Sequence, residues 1–117
     1  MKSFIYGIKN LIRWFPIIWK DRDYDYYYIM EILKKKILFS AKHMREGAFL
    51  VNSKEYASQM EECAALIHMV QNETYIDKFI HNDGFTDEHL KEAIDAHDEA
   101  RKRMFQILEE NIENWWD

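Results

Sequence analysis

Residues 24–45 read YDYYYIMEILKKKILFSAKHMR, and this stretch decides the fold. Tyr26, Ile29, Met30, Leu33, Ile37, Ala41 and Met44 recur three or four residues apart, close to a heptad repeat. On an α-helix these positions share one face, so a single amphipathic helix is predicted from about Tyr24 to Arg45. Asp23 or Asp25 can accept from its first amides and meet the positive end of its dipole. Gly47 closes it.

Working outward, Asn52 and Glu55 have the spacing of a capping box ahead of a second stripe, Tyr56, Met60, Cys63, Ile67 and Val70. That helix is expected to reach about His81, where Asn82-Asp83-Gly84 makes a turn. Thr86 then caps a further helix whose stripe is Leu90, Ile94, His97, Met104, Leu108, Ile112 and Trp115. On the N-terminal side, Ser3 to Trp19 carries Phe4, Ile8, Leu11, Ile12 and Phe15 on one face, and Pro16 is expected to kink or end that helix.

With only three glycines and one proline in 117 residues, the chain lacks the turn formers that a β-sandwich spends at every hairpin. The expected architecture is all-α: one domain over residues 1–117, a small antiparallel bundle of three long helices plus a shorter kinked N-terminal helix. Trp14, Trp19, Trp115 and Trp116 exceed what so small a core can hide, which points to a homo-oligomer.

Charge divides the chain. Residues 1–45 hold ten Lys and Arg against four Asp and Glu, whereas residues 46–117 hold six against seventeen. A basic, aromatic first third should meet an anionic partner, while the acidic remainder excludes general binding to long nucleic acids, whose affinity comes from neutralised phosphates. The lone Cys63 sits on an apolar stripe beside Glu61 and Glu62, a setting for an inert buried thiol in a reducing compartment, and the expected location is cytoplasmic. Lys9, Asn10 and Arg13 interrupt the first apolar run, so neither a secretion signal nor a membrane span is expected there, and a membrane is not among the expected partners. The histidines at 43, 68, 81, 89 and 97 form no paired ligand motif, no nucleophile elbow surrounds a serine, and no glycine loop exists to cradle phosphate. Neither a metal, a cofactor nor a catalytic residue is predicted, and the protein reads as a non-enzyme.

The chemically dense segment is 13–28, RWFPIIWKDRDYDYYY. Aromatic planes stack on bases, arginine forks grip phosphate, and aspartates accept from sugar hydroxyls. The candidate ligand-binding residues are Arg13, Trp19, Lys20, Asp21, Arg22, Tyr24, Asp25 and Tyr27, with Lys34 and Lys35 from the following helix or a neighbouring subunit. The same residues also admit a structural reading, with the tryptophans in a core and Arg22 bridging its neighbouring aspartates.

Within this segment, Ile18-Trp19-Lys20-Asp21-Arg22-Asp23-Tyr24-Asp25-Tyr26, preceded by Trp14, resembles the Ile-Trp-x-Asp-Arg-Asp-x-Asp-Tyr signature near the N-terminus of a family of small tailed-phage proteins. The resemblance covers about residues 11–33. It implies a phage protein working in a bacterial host cytoplasm, and it transfers no reaction. Three roles fit: a homo-oligomeric sponge that sequesters a small anionic, nucleotide-type immune signal; an acidic inhibitor of a host nuclease or effector; or a helical adaptor or membrane-surface protein using its first helix.

Overall fold

The computed structural model describes residues 2–47, 51–72 and 86–115. Four helices account for most of them: α1 Lys2–Lys20, α2 Tyr26–Glu46, α3 Ser53–Asn72 and α4 Asp87–Asn111, the last followed by a 3-10 turn at Ile112–Asn114. Among the described residues there is no strand, and the protein is all-α. The expected continuation of α3 to His81 and the turn at Asn82 to Gly84 lie outside the described residues.

Local chemistry sets the helix starts. Asp25, in extended backbone, accepts from the Tyr27 amide at 3.1 Å and opens α2, and Thr86 accepts from the His89 amide at 3.2 Å and opens α4. Each satisfies an amide that has no partner within its helix. Gly47 ends α2 by donating to His43 O at 2.9 Å, but at φ −141° and ψ 4° it does not use the left-handed conformation that favours glycine.

The core lies where α2, α3 and α4 meet. Ile37, Ala41 and Met44 of α2, Ala57, Met60, Cys63, Ala64 and Ile67 of α3, and Met104 and Ile107 of α4 form one buried cluster. Polar contacts fix the order of pairing. Tyr27 O near the start of α2 accepts from Gln71 near the end of α3, while Arg45 near the end of α2 reaches Ser58 and Glu61 early in α3. Between α3 and α4, Glu62 pairs with Arg103 at 3.6 Å, and Trp115 Nε1 donates to Gln59 Oε1 at 3.1 Å.

The α3 stripe is buried where the periodicity puts it, with Tyr56 half-buried at its edge. In α4 the buried face is instead Ala93, Ala100, Met104 and Ile107, while Ile94 and Ile112 are exposed. Small residues allow α4 to approach α3 closely, and the larger side chains one position away turn outward. At the start of α2, Tyr26 and Ile29 are likewise exposed. Among the described residues no Phe, Tyr or Trp belongs to the buried core.

The N-terminal helix departs most from expectation. At 19 residues it is as long as its neighbours, it continues past Pro16 to Lys20, and it buries no residue. Its stripe faces water: Phe4 and Ile12 are each 70% exposed. Only Trp14 and Ile17 are half-buried. The molecule measures 59 × 34 × 21 Å with a radius of gyration of 17.3 Å, well above the roughly 13 Å of a compact chain this long.

Cys63 is fully buried, with its Sγ 3.9 Å from Met104 O. Burial, and secondly the charge of Glu62, push its thiol up to about 11. A thiol reagent at mildly alkaline pH is therefore expected to label the native protein far more slowly than the denatured one. Equal rates would contradict this burial.

Candidate ligand-binding cleft

The turn at residues 21–25 folds the end of α1 back toward the start of α2, and the two helices enclose an open cleft of about 960 Å³. Its α1 wall carries Arg13, Pro16, Ile17, Trp19 and Lys20; Arg22 and Tyr24 come from the turn, and Tyr27, Tyr28, Glu31, Lys35 and Phe39 from α2. Trp14 anchors the arrangement by meeting the Phe39 ring edge-on at 5.1 Å. Beside it, the Arg13 guanidinium lies over the same ring at 4.2 Å from the centroid, a cation–aromatic contact that holds the charge at the cleft wall. Arg13 also donates to Asn10 Oδ1 at 2.7 Å.

Arg22 folds back onto the end of α1 and donates to Trp19 O at 3.2 Å and Asp21 O at 2.6 Å. Carbonyls at a helix C-terminus lack internal partners and carry partial negative charge, so Arg22 both caps the helix and stays at the rim. Tyr27 and Tyr28 meet edge-to-face at 5.3 Å, as do Tyr24 and Tyr28 at 6.5 Å. The cleft thus joins four cationic side chains, Arg13, Lys20, Arg22 and Lys35, to a cluster of aromatic rings.

Seven of the ten residues expected to bind ligand line this cleft: Arg13, Trp19, Lys20, Arg22, Tyr24, Tyr27 and Lys35. The other three are placed elsewhere. Asp21 is half-buried in the turn without reaching the lining, and Asp25 serves as the α2 cap. Lys34 points into the bundle, where its Nζ contacts Glu31 Oε2 and Gln71 Oε1, each at 3.0 Å, and lies 3.3 Å from His68 Nδ1. One position separates it from Lys35, and on a helix that step of about 100° turns one lysine to the core and the other to the cleft. Sequence reasoning missed Pro16 and Ile17 on α1, and Tyr28, Glu31 and Phe39 on α2, of which the last three could have been found. Their signal was the series Tyr28, Glu31, Lys35 and Phe39, three or four residues apart along one side of α2.

Glu31 is the acidic member of the lining, and it is already engaged. Gln71 Nε2 donates to its Oε2 at 2.6 Å as Lys34 does at 3.0 Å. Burial raises its pKa, but the hydrogen bonds from Gln71 and Lys34 and the charges of Lys34 and Lys35 outweigh that and hold the carboxyl below its ordinary 4.5. A depressed carboxylate stabilises the fold above its unfolded-state pKa, and that stabilisation is lost as pH falls through the lowered value. On acid titration, the wild type is expected to lose stability below about pH 4.5 more steeply than Glu31→Gln. Parallel curves from chemical denaturation would refute this role.

Among the described residues, no three His, Cys, Asp or Glu side chains converge as a metal site. No protein-family model matches the chain, and no curated protein or solved structure matches it significantly. By its own geometry the protein is an all-α bundle carrying a basic, aromatic cleft at one side.

Proposed function

We propose that the cleft between α1 and α2 binds a small anionic ligand with a flat ring, of nucleotide type, and that the protein sequesters this ligand without transforming it. The observation that carries this reading is the meeting of four cations with edge-on aromatic rings in one open space of about 960 Å³. That volume lies at the upper end of small-molecule sites, enough for a dinucleotide. Lys20, Arg22, Arg13 and Lys35 would hold phosphates, arginine by its forked donors, while Trp19, Tyr24 and Tyr27 would stack on bases. Together with the resemblance to small tailed-phage proteins, this supports a phage counter-defence sponge directed at a nucleotide immune signal in the host cytoplasm, either within one chain or in a homo-oligomer.

The inhibitor reading has less support. Glu61 is paired with Arg45, Glu62 with Arg103 and Asp98 with Arg101, which neutralises part of the acidic half that would have to enter a basic groove. Calorimetry against cyclic dinucleotides and ADP-ribose derivatives tests the proposal. Binding is expected in the wild type and its loss in Trp19→Ala, a side chain 71% exposed and so dispensable for folding. No heat with any member of the panel would reject the sponge.

A further inference from the structure

Beyond the cleft, the largest unexplained feature is the outer side of α1. The helix meets α2 through the side bearing Arg13 and Trp14. Away from that contact, Phe4, Ile8, Ile12, Phe15, Ile18 and Trp19 are all exposed. Every charge on the helix is basic: Lys2, Lys9, Arg13 and Lys20. At about 100° per residue these four fall within a strip roughly 40° wide, and the apolar residues cover the opposite half of the circumference.

We propose that α1 lies along a lipid surface rich in anionic headgroups, its apolar face sunk to the acyl boundary and Lys2 and Lys9 at the phosphates. This pattern of large apolar residues with Trp and Phe on one face and only Lys and Arg on the other suits a helix that rests in the interface. Lysine stems are long enough to run along the helix flank and bring the ammonium back to the headgroup plane. Among the described residues no helix is long and apolar enough to cross a membrane, so α1 rests on the surface. The acidic bundle joins α1 only through its inner side, which leaves the outer face free to meet lipid. The spacing of α1 admits a membrane-surface role, and the exposure of its apolar face in the folded protein favours that role over burial in a core.

A second copy of the chain fits the face less well. A helix pair needs a seam of two positions in seven, whereas this face takes about half the helix. Trp19 belongs to both the outer face and the cleft, so the two readings are separated at Lys2, Ile8, Lys9 and Ile12, which do not line the cleft.

Flotation of the full-length protein with vesicles decides the matter. Vesicles of phosphatidylglycerol and phosphatidylcholine are expected to carry the protein up, and pure phosphatidylcholine at least tenfold less. Lys2→Gln with Lys9→Gln should weaken binding about 30-fold at low salt. Ile8→Glu with Ile12→Glu should abolish it, while circular dichroism shows the helices retained and calorimetry an unchanged cleft. Absence from anionic vesicles, or undiminished flotation of Ile8→Glu/Ile12→Glu, would overturn the proposal. So would a dimer without lipid that the same double variant dissociates, since that assigns the face to a second copy.

Discussion

Replacing Ile67 by alanine is expected to lower the free energy of unfolding by about 2–5 kcal/mol, the range for removing a large aliphatic side chain from a packed core. Ile67 is fully buried in the second half of α3, inside the cluster shared with α2 and α4. Its removal costs both the transfer of three methyl or methylene groups and the contacts of a void that rigid neighbours cannot close. A small domain has only about 5–15 kcal/mol in all, so the variant should sit near the edge of folding. The contrast is Ile29→Ala in α2, which the same periodicity placed on the core face but which is 70% exposed; it should change stability by less than about 0.5 kcal/mol. Urea unfolding followed by circular dichroism compares them. Similar losses in both variants would mean that the core does not lie where α2, α3 and α4 meet.

The second large effect concerns the cleft. Arg13→Ala with Lys35→Ala removes two of the four cations that face the enclosed space. A hydrogen bond to a charged group contributes about 1.5–3 kcal/mol, so losing two should weaken nucleotide binding by on the order of a hundredfold or more. Residual binding should also depend less on salt, because fewer cations remain to be screened. Calorimetry at two salt concentrations measures both quantities. Unchanged affinity in the double variant, with wild-type binding present, would move the ligand to another surface. Lys34→Met is the informative neighbour. Lys34 lies in the bundle beside Glu31 and Gln71, so its replacement should reduce stability by leaving the half-buried Glu31 carboxylate without its cation, rather than abolish recognition.

Much of this architecture is written locally. The helices α2 and α3, the caps at Asp25 and Thr86, and the inert Cys63 follow from residues within a turn or two of each other, because helix periodicity and capping are short-range effects. The crowding of cation and aromatic residues in 13–28 is local too, which is why seven of the ten expected ligand residues do line one cleft. Sequence alone could not sort Lys34 from Lys35, since both belong to one charged run and only the position of α3 decides which one is buried. Nor could it choose between Leu90, Ile94 and Ile112 and the smaller Ala93 and Ala100 for the α4 interface. That choice depends on how closely two backbones approach.

The clearest division is between α1 and α3. Amphipathic spacing is cleaner in α1, yet α1 buries nothing and α3 forms the centre of the core. Periodicity determines that a helix has an apolar face, through the fixed turn per residue. Whether that face is covered depends on chain geometry and on the limited area the other helices present: α2 and α4 close around α3, and α1, joined to α2 by a turn of five residues, meets it through the Arg13 and Trp14 side. The sequence thus determined the helices and the composition of the site, whereas the tertiary structure decided which apolar face became core and which was left facing outward.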